Sequence, residues 1–106
     1  DVFLQINLTD DPARGGVRPD GLLALAEHVM GLPSLRLRGV MAVAPLEEEP
    51  ARAFARLARM SESVRGVAPS ASAISAGMTG DFEVAVEEGA TMIRIGAGIF
   101  GQRFLP

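Results

Sequence analysis

Apolar residues are concentrated in four short runs, and the stretches between the first three are amphipathic. Val2 to Asn7 has little polar alternation, the pattern of a strand buried on both faces of a parallel sheet. Leu37 to Ala44 reads as a second strand, Ala71 to Ala76 as a third with little side-chain bulk, and Thr91 to Ile95 as a fourth. Between the first two, Leu22, Leu25, Ala26, Val29 and Met30 recur at helical spacing. Asp20 stands where a capping residue belongs, and Gly31 and Pro33 supply the stop. After the turn at Pro45–Glu49, Pro50 suits a first helical position, and Phe54, Leu57, Ala58, Ser61 and Val64 continue that helix. A third, short helix is predicted from Asp81 to Glu88, with Phe82, Ala85 and Val86 facing inward and Gly89 closing it.

The resulting order, βαβαβαβ with a short terminal turn or helix, predicts parallel strands joined by crossover helices in a single α/β domain. Glycine-rich turns stand at the end of the chain, whereas an open nucleotide-binding sheet would place them after its first strand. Phosphate sites built from the last two βα turns are the habit of the (β/α)8 TIM barrel. The expected fold is therefore the C-terminal half of such a barrel, residues 1–106 supplying strands 5 to 8. Half a barrel leaves both outer strands as unpaired edges, which need covering.

Composition narrows the functional classes. A formal net charge of -3 and an ordinary 48% hydrophobic content fit a folded domain rather than a disordered chain. No arginine cluster or aromatic ladder suggests a nucleic-acid groove. No apolar run reaches the length of a membrane span. The absence of cysteine fits a reducing, cytoplasmic setting. All ten basic residues are arginines, so there is no lysine.

Two turns carry candidate chemistry. In Ser75-Ala-Gly77-Met78-Thr79-Gly80-Asp81, Thr79 stands where a hydroxyl can cap the next helix or donate to a phosphate oxygen. Gly77 and Gly80 allow close approach of the backbone, and the helix amides offer a favourable end for an anion. Asp81 is better suited to organising the turn than to touching an anion. In Arg94-Ile95-Gly96-Ala97-Gly98, an arginine at a strand's C-terminal end can present fixed donors into a barrel mouth, or serve in a structural ion pair. Gly96 and Gly98 leave their amides accessible. Elsewhere the expectations are plain. His28 is a surface or packing residue, Glu47–Glu49 is a solvated helix start, and Asp10-Asp11 lacks the oxygen spacing of a calcium loop. No nucleophile elbow, phosphate-binding Walker loop or zinc helix motif is present.

Four segments carry a resemblance: QINLTDDPARGG (Gln5–Gly16), LRGVMAVAP (Leu37–Pro45), SAGMTGDFEVAVEEGAT (Ser75–Thr91) and MIRIGAGIFGQR (Met92–Arg103). Through them the chain resembles the C-terminal half of the pyridoxal-phosphate homeostasis proteins, small relatives of the alanine racemase N-terminal barrel. The resemblance implies a barrel that binds pyridoxal 5'-phosphate (PLP). Its phosphate would be held by the Thr79 hydroxyl and the backbone of Gly96, Ala97 and Gly98, with Gly77 and Met78 completing the cofactor-binding set and Arg94 facing the pyridine nitrogen. An arginine there disfavours protonation of that nitrogen, in keeping with carrying or buffering the cofactor rather than catalysis. The family pattern usually has serine at Thr79, methionine at Ala76 and lysine at Arg14.

The family lysine that bonds the cofactor aldehyde lies on an earlier strand and has no counterpart here. The native protein is accordingly expected to be about twice this length. No catalytic residue is assigned. The rivals are a fragment of a PLP-dependent amino-acid racemase and a phosphate-ligand module of another TIM barrel. A racemase would need an opposing acid/base residue, usually tyrosine, and the chain has none. Expected partners are PLP or a phosphate or sulfate ion, and a complementary half-barrel or second copy.

Overall fold

The computed structural model describes residues 1–94. β1 (Val2–Gln5), α1 (Leu22–Met30), β2 (Leu37–Met41), α2 (Pro50–Val67), β3 (Ala73–Ser75) and α3 (Phe82–Glu87) follow in that order, with a single 3-10 turn at Pro19–Gly21 leading into α1. The three strands form one parallel sheet in the order β1-β2-β3. This is the α/β alternation expected from the hydrophobic pattern. α1 packs on β1 and β2, and α2 on β2 and β3.

Pro50 occupies the first turn of α2 as predicted, and Gly31 closes α1, its amide pointing to the carbonyls of Glu27 and His28. Asp20 does not cap α1. Pro19 starts a 3-10 turn first, which places Asp20 inside that turn and Gly21 at the cap with no side-chain bond. Met30 also departs from the expected apolar stripe. It is half exposed and lines an open cleft with Leu32, Leu35 and Leu37 at the N-terminal end of the strands.

Register separates the sheet into two faces. Phe3 pairs with Gly39 and Gln5 with Met41, while Gly39 pairs with Ala73 and Met41 with Ser75, so these residues share one side. Leu4, Val40 and Ile74 share the other, and there Leu4, Ile6, Val40, Ala42 and Ala76 are buried beneath the helices. Ala53, Phe54, Leu57 and Val64 of α2 join the same core. The first strand is thus buried on one face, not on both: on its other side Phe3 is half-buried and Gln5 exposed, and Val43, just beyond the end of β2, is 45% exposed.

The third strand is shorter than expected, Ala73–Ser75 rather than Ala71–Ala76. The predicted strand Thr91–Ile95 is reduced to one bridge between Ser75 and Met92 among the described residues. Thr91 and Met92 both donate to the Ile74 carbonyl, Ala76 donates to Met92, and Arg94 then donates to Gly77 rather than to its neighbour Ala76. Gly77 has φ +100°, and this twist displaces the ladder by one residue. Thr91 lends its hydroxyl as a substitute acceptor for the Ile74 amide at 2.9 Å. Ile95 and the terminal turn lie outside the described residues.

In α3, Ala85 is buried and Val84 packs on the core, but Val86 is 54% exposed and does not face inward. With Val84 and Ala85 defining the packed arc, Val86 lies about 150° away around the helix.

The outer edge of β1 is partly covered by its own loop. Val17 pairs with Ile6, exchanging bonds of 2.8 Å with the Gln5 carbonyl and the Asn7 amide. Gly16 makes this possible: its φ is +108°, and an added Cβ would lie 2.8 Å from the Asn7 nitrogen. Along Val2–Gln5 no further strand covers the edge among the described residues.

Candidate functional site

The C-terminal ends of the strands carry the loops on which a barrel of this type places its site. Gly77 stands two residues beyond β3, after the buried Ala76, and is itself buried. Its positive φ excludes most side chains, and a Cβ there would lie 2.8 Å from that of Ala85 and 3.0 Å from the Phe82 Cα. Gly77 therefore serves the turn and its packing on α3 as well as the approach of a ligand.

Asp81 organises the turn, as the sequence suggested. Its Oδ1 accepts the Met78 amide at 2.8 Å, and its own amide donates to the Met78 carbonyl at 3.1 Å. The Met78 amide is thus engaged within the turn, while the Met78 side chain is exposed. Thr79 lies at the exposed tip between them. α3 has only six residues, and its first turn holds the Asp81 and Glu83 carboxylates, so its end offers little to an anion.

Arg94 connects this turn with the middle of the sheet. Its backbone amide donates to the Gly77 carbonyl at 2.8 Å, and its guanidinium crosses to the Ala42 carbonyl beyond β2 at 3.1 Å. Its Nε is buried and has no hydrogen-bond partner among the described residues. A guanidinium with an unspent buried donor is poised for an acceptor, because an unmade hydrogen bond there costs roughly 1–3 kcal/mol or more. The structure thus brings Gly77, Met78, Thr79 and Arg94 to neighbouring positions. Gly96, Ala97 and Gly98 lie outside the described residues.

Two further groups at this rim were not legible as site residues. Asn7 is buried at 3% exposure and knits its loop together. Its amide nitrogen donates to the carbonyls of Asp11 at 2.9 Å and Arg14 at 3.1 Å, and its Oδ1 accepts from the Thr9 amide and hydroxyl. An Asn with Thr two residues on is a local turn signal that could have revealed part of this. Glu48 is not simply part of a solvated helix start: it is half-buried and pairs with Arg56. His28 is exposed, as expected. Among the described residues no group of three or more His, Cys, Asp or Glu is arranged to hold a metal ion, and no helix is long and apolar enough to cross a membrane.

The alanine racemase, N-terminal domain family model matches residues 1–104. The chain belongs to this family. Pyridoxal phosphate homeostasis proteins are among its similar relatives. That of Pseudomonas aeruginosa is 42% identical over 102 residues, covering 96% of this chain and 44% of the relative. That of Haemophilus influenzae is 40% identical over 107 residues, covering 96% and 45%. Among solved structures, PipY of Synechococcus elongatus with PLP bound superposes with a TM-score of 0.75 at 32% identity, over 88% of this chain and 45% of PipY. PipY without PLP gives 0.77 at 33% identity, over 88% and 46%. The chain therefore spans less than half the length of these relatives. Membership of the family gives the parallel sheet and its helix layer their place as part of an alanine racemase-type barrel.

Proposed function

We propose that the chain is the C-terminal half, strands 5 to 8, of a barrel that binds PLP and serves intracellular PLP homeostasis as a non-catalytic carrier or buffer in the cytoplasm. The observation that carries the reading is Arg94, whose buried Nε has no acceptor among the described residues while its other contacts tie the Gly77 turn to the chain just beyond β2. The relatives' names and the PLP-bound PipY structure support PLP as the ligand.

The residues present suit that group. Thr79 and the backbone of Gly96, Ala97 and Gly98 would hold the phosphate, Gly77 and Met78 would line the turn, and Arg94 would face the ring nitrogen. A fixed cation at that nitrogen opposes its protonation. When bound, PLP supplies an aldehyde that condenses with amines and a ring that withdraws electrons. A chain without lysine offers no side-chain amine for that condensation, so its own contribution is binding and orientation. The exposed sheet face of Gln5 and Val43, with the uncovered edge of β1, is where the remaining strands of the barrel or a second copy would pack.

The test is a spectrophotometric titration of the 106-residue chain with PLP, followed by borohydride reduction and intact-mass measurement. Saturable binding without a side-chain pyridoxyl adduct is expected, weakened about tenfold or more by Arg94→Gln and less by Thr79→Val. Equal affinity for sugar phosphates, with no pyridoxal spectral change, would replace this reading with a general phosphate module. Binding indifferent to both substitutions would remove the site assignment.

A further inference from the structure

Arg56, on the second turn of α2, joins two loops that are distant in sequence. Its Nε donates to Glu48 Oε2 at 3.1 Å and one terminal nitrogen donates to Glu48 Oε1 at 2.5 Å, a two-pronged pairing with the β2–α2 loop. The same terminal nitrogen donates to the Leu8 carbonyl at 2.9 Å, at the root of the β1–α1 loop. Both partners stand on loops that leave the C-terminal ends of neighbouring strands. Between the loops lies an open cleft of about 470 Å³, lined by Thr9, Asp11, Pro45, Glu47 and the clamp residues themselves.

Each loop is already ordered within itself. Asn7, Thr9 and Asp11 bond the segment from 7 to 14 internally, and Glu48 donates its amide to the Pro45 carbonyl. Such internal bonds shape a loop but do not set its distance from a neighbour. The Arg56 guanidinium bonds to both loops, and among the described side-chain hydrogen bonds it is the one that does so.

We propose that Arg56 is a positioning residue: through Glu48 and the Leu8 carbonyl it locks the β1–α1 and β2–α2 loops into one rigid wall of the mouth. Only the identity of the ligand served by that wall rests on the PLP-binding reading. The geometry requires arginine. Lysine carries the charge as a single point and cannot span both Glu48 oxygens and the Leu8 carbonyl in one plane.

Hydrogen exchange on the full 106-residue chain tests the clamp directly. Arg56→Gln should speed exchange of the Thr9, Ala13, Arg14 and Glu48 amides about tenfold, while Ile6 and Val40 in the sheet stay protected. Glu48→Gln should loosen the same amides less, and Arg56→Lys should restore only part of the protection. PLP affinity should fall about tenfold in Arg56→Gln. Unchanged loop exchange, or full rescue by lysine, overturns the clamp. Loosened loops with unchanged PLP affinity overturn its positioning role. If the unsubstituted chain fails to bind PLP, the functional reading falls, and the exchange result still decides whether Arg56 holds the wall.

Discussion

The two faces of the sheet are built to different rules. Beneath the helices, Leu4, Ile6, Val40 and Ala42 are closed in by Leu57 and Val64, and this face supplies the hydrophobic stabilisation of the described chain. On the opposite side Gln5 of β1 and Val43, just beyond β2, remain exposed, although their chain neighbours Leu4, Ile6, Ala42 and Ala44 are buried. A sheet exposed on one face normally carries polar residues there. This one carries the partly buried Phe3 and Met41 beside exposed Gln5, with exposed Val43 just beyond β2, a composition suited to a surface that meets further protein. The lesson is that near-continuous apolar strands suit the barrel environment of the family, while burial among the described residues records only the part of that fold they build.

Substitutions can break or sharpen this contrast. The largest effect is expected for Leu57→Ala. This fully buried residue leaves a cavity under the helix layer, and urea denaturation should show a loss of about 3 kcal/mol. Gly39→Ala should cost about 2 kcal/mol or more although it lies on the open side. A Cβ there would fall 1.8 Å from the Ala73 carbonyl oxygen, so the strands themselves must part. A loss below about 0.5 kcal/mol would mean that this backbone contact relaxes freely. The smallest effect belongs to Val43→Ser, within about 0.5 kcal/mol in the isolated chain. A loss there as large as that of Leu57→Ala would show that the open face is covered in solution, and the contrast between the faces would collapse.

The turn after β3 and the clamp at Arg56 differ in how far they could be read in advance. Ser75 to Asp81 is a local arrangement: Asp81 bonds a residue three positions earlier, and Gly77 supplies a conformation that few other residues adopt. Such features depend on near neighbours and are written in short spacings. The Arg56 clamp depends on Leu8, which lies 48 residues away, and on Glu48 across the start of a helix. No local pattern encodes that meeting.

By itself the sequence determined the alternation of strands and helices, the starts and stops at Pro50 and Gly31, and the special backbone at Gly77. These follow from side-chain periodicity and from the conformational limits of proline and glycine. It also determined that these 106 residues hold no lysine. Only the tertiary structure decided which face of each strand is covered, where Arg94 spends its donors, and that Val17 folds back on the edge of β1. Those outcomes depend on which surfaces meet across long separations, where packing and hydrogen-bond geometry override the preferences of any short segment.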